Sequence, residues 1–351
     1  MTLLESLIEI VNIPSVTGNE AALCGWLEDR YRADYHTERI GNSVIVGSRG
    51  DSASFTALYG HSDTVPVQGD PSARVHGERL VGLGASDMKA GLAVMMELLD
   101  TAVTDADFVC VFYDAEEGPA RDNGLEAVLD AAPWLLDAEL SVVLEPTDLN
   151  LQLGCNGVLN ADVVFSGSTS HSARPWLGEN AITKAGSWLS QLHAREPDTV
   201  DIDGLVYREV FSVTQAHGGI ANNIIPGEFV LNLNHRFPPV YSLKEAEARL
   251  RDVASAADAV TVRDRAPAGA VDLNSPALQR LDRLIGRERT AKQGWTDVAR
   301  LTSRGAVAVN YGPGEVAQAH QVDESVPIEN LDVVFEVLQM FLTVDDYSHS
   351  S

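Results

Sequence analysis

Short apolar runs alternate with stretches of helical periodicity through the first 150 residues of the chain. Residues 54–59, 108–113 and 140–144 are strand-length runs, and residues 88–99 repeat their apolar positions as a helix does. Near the start, Leu3, Leu4, Leu7, Ile8 and Val11 lie at helical spacing and stop before Pro14. That pattern predicts an amphipathic helix, and the absence of a basic leading segment argues against a signal peptide. Buried strands alternating with helices predict an α/β layer built on a mostly parallel sheet.

From about residue 157 the order changes. Residues 160–166 read as a strand, 180–194 as a helix, 207–215 and 228–236 as strands, 243–257 as a helix and 259–263 as a strand. The succession β-α-β-β-α-β is the ferredoxin-like unit. Beyond Pro267 the α/β pattern resumes with a helix at 275–289, a strand at 306–311 and a closing helix at 331–342. The chain is therefore expected to fold as a discontinuous first domain, residues 1–156 and 269–351, with residues 157–268 inserted and the two junctions acting as hinges. A polar tail at 348–351 is the only low-complexity stretch.

The 351 residues include 25 basic and 51 acidic side chains, a formal charge of −26. Such a field repels nucleic acid and anionic membrane surfaces, so neither is expected as a partner. An anionic substrate would have to be drawn in by individually placed arginines or metal ions. Cys24, Cys110 and Cys155 form no CxxC pair, which fits a reducing compartment. No run reaches the ~20 apolar residues of a membrane span, and a cytoplasmic location is expected.

Candidate chemistry gathers where strands should end. His61 closes the run Leu58-Tyr59-Gly60-His61, Glu116 and Glu117 follow residues 108–113, Glu145 follows 140–144, and His320 lies beyond 306–311. In an open parallel sheet such positions converge outside the carboxyl ends of the strands. Two imidazoles with carboxylates suit Zn²⁺ or a neighbouring divalent ion. Asp63, two residues after His61, is placed to accept from the other ring nitrogen and fix its tautomer. Asp87, in the Gly-rich turn Gly82-Leu-Gly-Ala-Ser-Asp87, can present two oxygens and so bridge two ions about 3.5–4 Å apart. Of the adjacent pair Glu116 and Glu117, one can ligate while the other serves as general base. Taken singly, each has a plainer role: an N-cap for Asp87, a solvated pair for Glu116 and Glu117, a loop histidine for His320. The shared strand-end placement favours a metal centre.

The motifs Gly60-His61-Ser-Asp63-Thr-Val-Pro66, Gly84-Ala-Ser-Asp87-Met-Lys-Ala-Gly91, Asp114-Ala-Glu116-Glu117-Gly118 and Glu145-Pro-Thr147, with the inserted unit and the late His320, resemble the co-catalytic zinc amidohydrolases over nearly the whole chain. The resemblance implies a dinuclear-zinc, peptidase-like α/β catalytic domain carrying a ferredoxin-like lid that also dimerises. It implies two Zn²⁺ per subunit, with Co²⁺ or Mn²⁺ as substitutes: one ion on His61 and Glu145, the other on Glu117 and His320, and Asp87 between them. Glu116 becomes the general base and Asp63 the residue that orients His61. His171 becomes an oxyanion donor acting in the other subunit of a homodimer. Asn222, Asn223 and Arg236 become substrate contacts.

Within that family, the stretches 174–182, 201–209 and 294–300 look most like the shorter bacterial desuccinylases. They add Arg174, Thr296 and Arg300 to the expected substrate contacts. The implied reaction is hydrolysis of N-succinyl-L,L-2,6-diaminopimelate, whose three carboxylates suit arginine forks. The alternatives are deacetylation of acetylornithine, the activity of a related N-acyl amino acid amidohydrolase, carboxypeptidase or dipeptidase, and a non-catalytic binding protein on the same scaffold. The last predicts loss of Glu116 or of a ligand, and all six residues are present.

Overall fold

The computed structural model describes residues 1–47, 54–101 and 107–343. The polar tail lies outside them. The chain forms two compact units: residues 1–154, 270–290 and 296–351, and residues 155–269 with 291–295.

The first unit is built on a mixed sheet. Four strands at its centre, Phe108–Tyr113, Thr56–His61, Leu140–Val143 and Ala308–Asn310, are mutually parallel in that order. All of their residues are buried, as expected of parallel strands covered on both faces. Ser43–Val46 and Thr37–Ile40 extend one edge antiparallel, and Gln152–Leu153 pairs antiparallel at the other. The helix Ala90–Asp100 buries nine of its eleven residues. The first helix, Leu3–Asn12, is closed by a capping box between Thr2 and Glu5. The sequence pattern missed the helix Ala21–Tyr31, which has no side-chain cap at its start, and the small sheet formed by Arg74–His76, Arg79–Val81 and Ser325–Pro327. The helix expected over 275–289 stops at Ile285 because Gly286 turns left-handed, φ 62°.

The second unit is an antiparallel sheet in the order Asp198–Ile202, Leu205–Gly218, Glu228–Phe237, Gly157–Ser166, Ala259–Ala266. Four of these strands and the intervening helices give the ferredoxin-like succession; the fifth, Asp198–Ile202, is an added hairpin arm. The helix expected at 180–194 is divided into Ala181–Lys184 and Gly186–His193. Residues 291–295 join this unit through Lys292 O, which accepts from Asn156 N at 3.2 Å, and through Trp295 Nε1, which donates to Pro267 O at 3.1 Å. Among the described residues no helix is long and apolar enough to cross a membrane.

Candidate metal centre

Four of the expected donors arise at the C-terminal ends of the four central parallel strands. His61 is the last residue of its strand, and Glu117, Glu145 and His320 follow the others. Asp87 comes from the turn Ala85–Lys89 that opens the helix Ala90–Asp100. Close approaches of the backbone hold these segments together. A Cβ at Gly312 would lie 2.5 Å from Glu145 O, and Gly84 is left-handed with room for no side chain beside Thr64. Thr147 Oγ1 donates to Gly312 O at 3.0 Å, locking the Glu145-Pro-Thr turn to the loop that leads to His320.

The donors form two triads that share one residue. One donor atom from each of His61, Asp87 and Glu145 lies within 4.8 Å of the others, and the same holds for Asp87, Glu117 and His320. His61 Nε2 is 3.4 Å from Asp87 Oδ1 and 3.8 Å from Glu145 Oε1. His320 Nε2 is 3.0 Å from Glu117 Oε1 and 3.7 Å from Asp87 Oδ2. The two oxygens of Asp87 thus face different triads. Donors about 2 Å from a common tetrahedral ion stand ~3.3 Å apart, so this spacing fits divalent metal. His61 Nδ1 lies 3.0 Å from Asp63 O, a carbonyl that can only accept, which puts the ring proton there and leaves the Nε2 lone pair toward the carboxylates.

Asp63 contacts more than His61. Its carboxylate, 3.4 Å from His61 Nδ1, also accepts from Glu116 N at 3.0 Å, Glu117 N at 3.1 Å and Thr17 Oγ1 at 2.8 Å. One buried carboxylate therefore fixes the turn bearing both glutamates. Glu117 reaches His320, whereas Glu116 joins a separate group with His61 and Glu117. Burial pushes the Glu116 carboxyl well above the usual range, opposed by His61 and reinforced by Glu145. The Glu117 hydrogen bond raises His320 to about 9, and that proton has to leave before Nε2 can ligate.

The Arg300 guanidinium is held by Asp297 at 2.8 Å, Glu126 at 2.6 Å and Ala120 O at 3.1 Å. Thr296, beside Asp297, is buried. The sequence reading also passed over Thr17, Lys89 and Glu324. Lys89 Nζ donates to Ile10 O and Ile13 O and is brought down to about 7 by burial. Glu324, four residues after His320, accepts three backbone N–H groups around Asp87.

The remaining residues lie in the second unit. His171 is exposed on the short strand Ser170–His171, paired with Ile224–Ile225, and its Nδ1 accepts from Ala173 N at 3.1 Å. Arg174, Asn222 and Asn223 are exposed in the neighbouring turns, and Arg236 Nε donates to Asn234 Oδ1 at 3.2 Å.

Peptidase family M20/M25/M40 matches residues 57–343. A succinyl-diaminopimelate desuccinylase of Corynebacterium glutamicum is 35% identical, over 95% of this chain and 94% of its own. A Mycobacterium tuberculosis protein given the same name provisionally is 38% identical, over 95% of this chain and 96% of its own. Among solved structures, a tripeptidase of Staphylococcus aureus superposes with a TM-score of 0.79 at 22% identity, covering 97% of both chains.

Proposed function

The chain belongs to peptidase family M20/M25/M40, and on that premise we propose that it hydrolyses N-succinyl-L,L-2,6-diaminopimelate to succinate and L,L-diaminopimelate, with two zinc ions per subunit. The observation that carries this reading is the pair of donor triads sharing Asp87, in a chain 35% identical over nearly its full length to a desuccinylase. Deacetylation of acetylornithine is the less favoured reading, and a non-catalytic role is not supported by a complete donor set.

His61, Asp87 and Glu145 would hold one ion and Asp87, Glu117 and His320 the other. A bound pair of divalent ions supplies a Lewis acid for the amide carbonyl and lowers the pKa of water toward ~7. Glu116, held beside the triads but outside both, takes the proton of the attacking water and returns it to the leaving amine nitrogen. His171 accepts at Nδ1, so a neutral ring carries its proton on Nε2 and can donate to the oxyanion. A donor of that kind contributes typically about 10²–10³ in rate. Arg236 and Arg174 provide forks for the substrate carboxylates, and Asn222 and Asn223 further polar contacts.

A homodimer built through the second unit, with His171 of the partner subunit completing each site, is part of the reading. Strand Leu205–Gly218 is paired by Asp198–Ile202 only along residues 205–209, which leaves 210–218 as a strand edge among the described residues. Trp176, Leu177 and Ile220 are 76%, 66% and 82% exposed in the same unit. Turnover of an N-acyl amino acid panel before and after metal loading tests the assignment; no release of succinate under any loading would reject it.

A further inference from the structure

We propose that Glu324 is the positioning residue of the bridging aspartate, its buried carboxylate setting the backbone on which Asp87 is presented to both halves of the metal centre. The inference rests on the two-ion reading of the triads given above. The turn Ala85–Lys89 is irregular at this point: Asp87 has φ −122° and ψ 94°, and Met88 is likewise outside helical values. Backbone carbonyls accept from Ala85 N at 3.1 Å and from Lys89 N at 2.8 Å, but they do not bind Gly84, Ser86 and Asp87 N. Glu324 does. Its Oε2 accepts from Gly84 N at 2.8 Å, and its Oε1 accepts from Ser86 N at 2.7 Å and from Asp87 N at 2.8 Å. Its own carbonyl accepts from Gly82 N at 3.0 Å, so one residue binds four N–H groups in six positions.

Convergent backbone N–H groups of this kind form an anion-binding nest, and here the anion is part of the chain. Glu324 is 3% exposed and lies four residues after His320. The segment that contributes a ligand to one triad thus also grips the turn bearing the shared ligand. Asp87 Oδ1 and Oδ2 face His61 and His320 across 3.4 Å and 3.7 Å, so a shift of the Asp87 backbone displaces both oxygens together. A ligand confined to one triad has no such effect. The expected signature is a paired loss: weakening the grip lowers affinity at both positions, by the 10–100-fold typical of groups that orient metal ligands.

The test is Zn²⁺ binding to chelator-stripped protein, measured by competition with a chromophoric chelator, for the wild type, Glu324→Gln and Glu117→Gln. The glutamine keeps the side-chain volume, but its NH₂ turns a donor toward N–H groups that need an acceptor. Both stepwise constants should fall about 10–100-fold in Glu324→Gln, whereas Glu117→Gln should lower chiefly one. Glu324→Asp keeps the charge and withdraws it by one methylene, so it should fall between wild type and Glu324→Gln. Constants within twofold of wild type, or loss confined to one ion, would overturn the proposal while leaving the metal centre in place. A wild type that binds no ion would instead remove the underlying reading. If Glu324→Gln does not fold, Glu324→Asp carries the same comparison; if neither folds, Glu324 is a general stabiliser and the proposal is wrong.

Discussion

Glu116→Gln separates proton transfer from metal binding more cleanly than any other single change. The amide is isosteric with the carboxylate, and the backbone N–H of Glu116 that anchors the turn to Asp63 at 3.0 Å is untouched. Neither of the triads sharing Asp87 includes Glu116, and the residue that reaches His320 at 3.0 Å is Glu117. The variant should therefore keep its metal content. What it loses is a base able to accept a proton from water, a contribution of about 10²–10⁴ in kcat, or roughly 2.7–5.4 kcal/mol of barrier. Steady-state release of succinate, with metal counted by mass spectrometry on the same preparation, measures both quantities. Glu117→Gln serves as the contrast, losing metal and activity together. A Glu116→Gln enzyme within threefold of wild-type kcat, or one depleted of metal to the same degree as Glu117→Gln, would refute the division of roles.

Three further outcomes are expected. Dialysis against a chelator should abolish hydrolysis and Zn²⁺ or Co²⁺ should restore it, measured as activity against equivalents added. Mixing inactive Glu116→Gln with inactive His171→Ala should recover part of the activity once subunit exchange is demonstrated, because some hybrid dimers contain one intact site; no recovery would place His171 within its own subunit's chemistry or outside catalysis. In the second unit, burial pushes Glu209 up, but hydrogen bonds from Arg249, 2.8 Å at Nε, and His235, 2.7 Å, bring it down to about 2. A depressed folded value gives stability that is complete above about 4.5 and lost as pH falls toward 2, on the order of 3 kcal/mol. The urea midpoint of Glu209→Gln should accordingly lie well below wild type at pH 7, with the gap narrowing below pH 4.5 and closing only near pH 2.

The central sheet was legible because its four parallel strands are buried on both faces and read as unbroken apolar runs, each ending next to a chemically distinctive residue. The two-residue alternation of the strands at 157–166 and 228–237 likewise exposed the ferredoxin-like succession. Less accessible were features that depend on partners far away in sequence. Asp63 looked like a local tautomer clamp, but two of its hydrogen bonds go to backbone 53 and 54 positions further on. Glu324 carries no motif of its own; only the fold brings it to Gly84, Ser86 and Asp87. The ion pair of Arg300 with Glu126 was hidden for the same reason, since the two stand 174 positions apart. The strand Asp198–Ile202 was missed because its residues are exposed or half-buried and show no apolar run.

Metal-dependent cleavage of a succinyl amide is tested most directly by comparing kcat/KM for N-succinyl-L,L-2,6-diaminopimelate and N-acetylornithine on stripped and Zn²⁺-reloaded protein. A hydrogen-bonded charge contributes about 1.5–3 kcal/mol, and N-acetylornithine carries one carboxylate against three, so each of the two it lacks should lower kcat/KM by about 10–100-fold where that carboxylate is paired. Neither substrate should turn over in the stripped protein, and the succinyl amide should be preferred on reloading with up to two equivalents of Zn²⁺. Turnover by a verified metal-free preparation, or equal or better hydrolysis of the acetyl substrate, would contradict the desuccinylase reading.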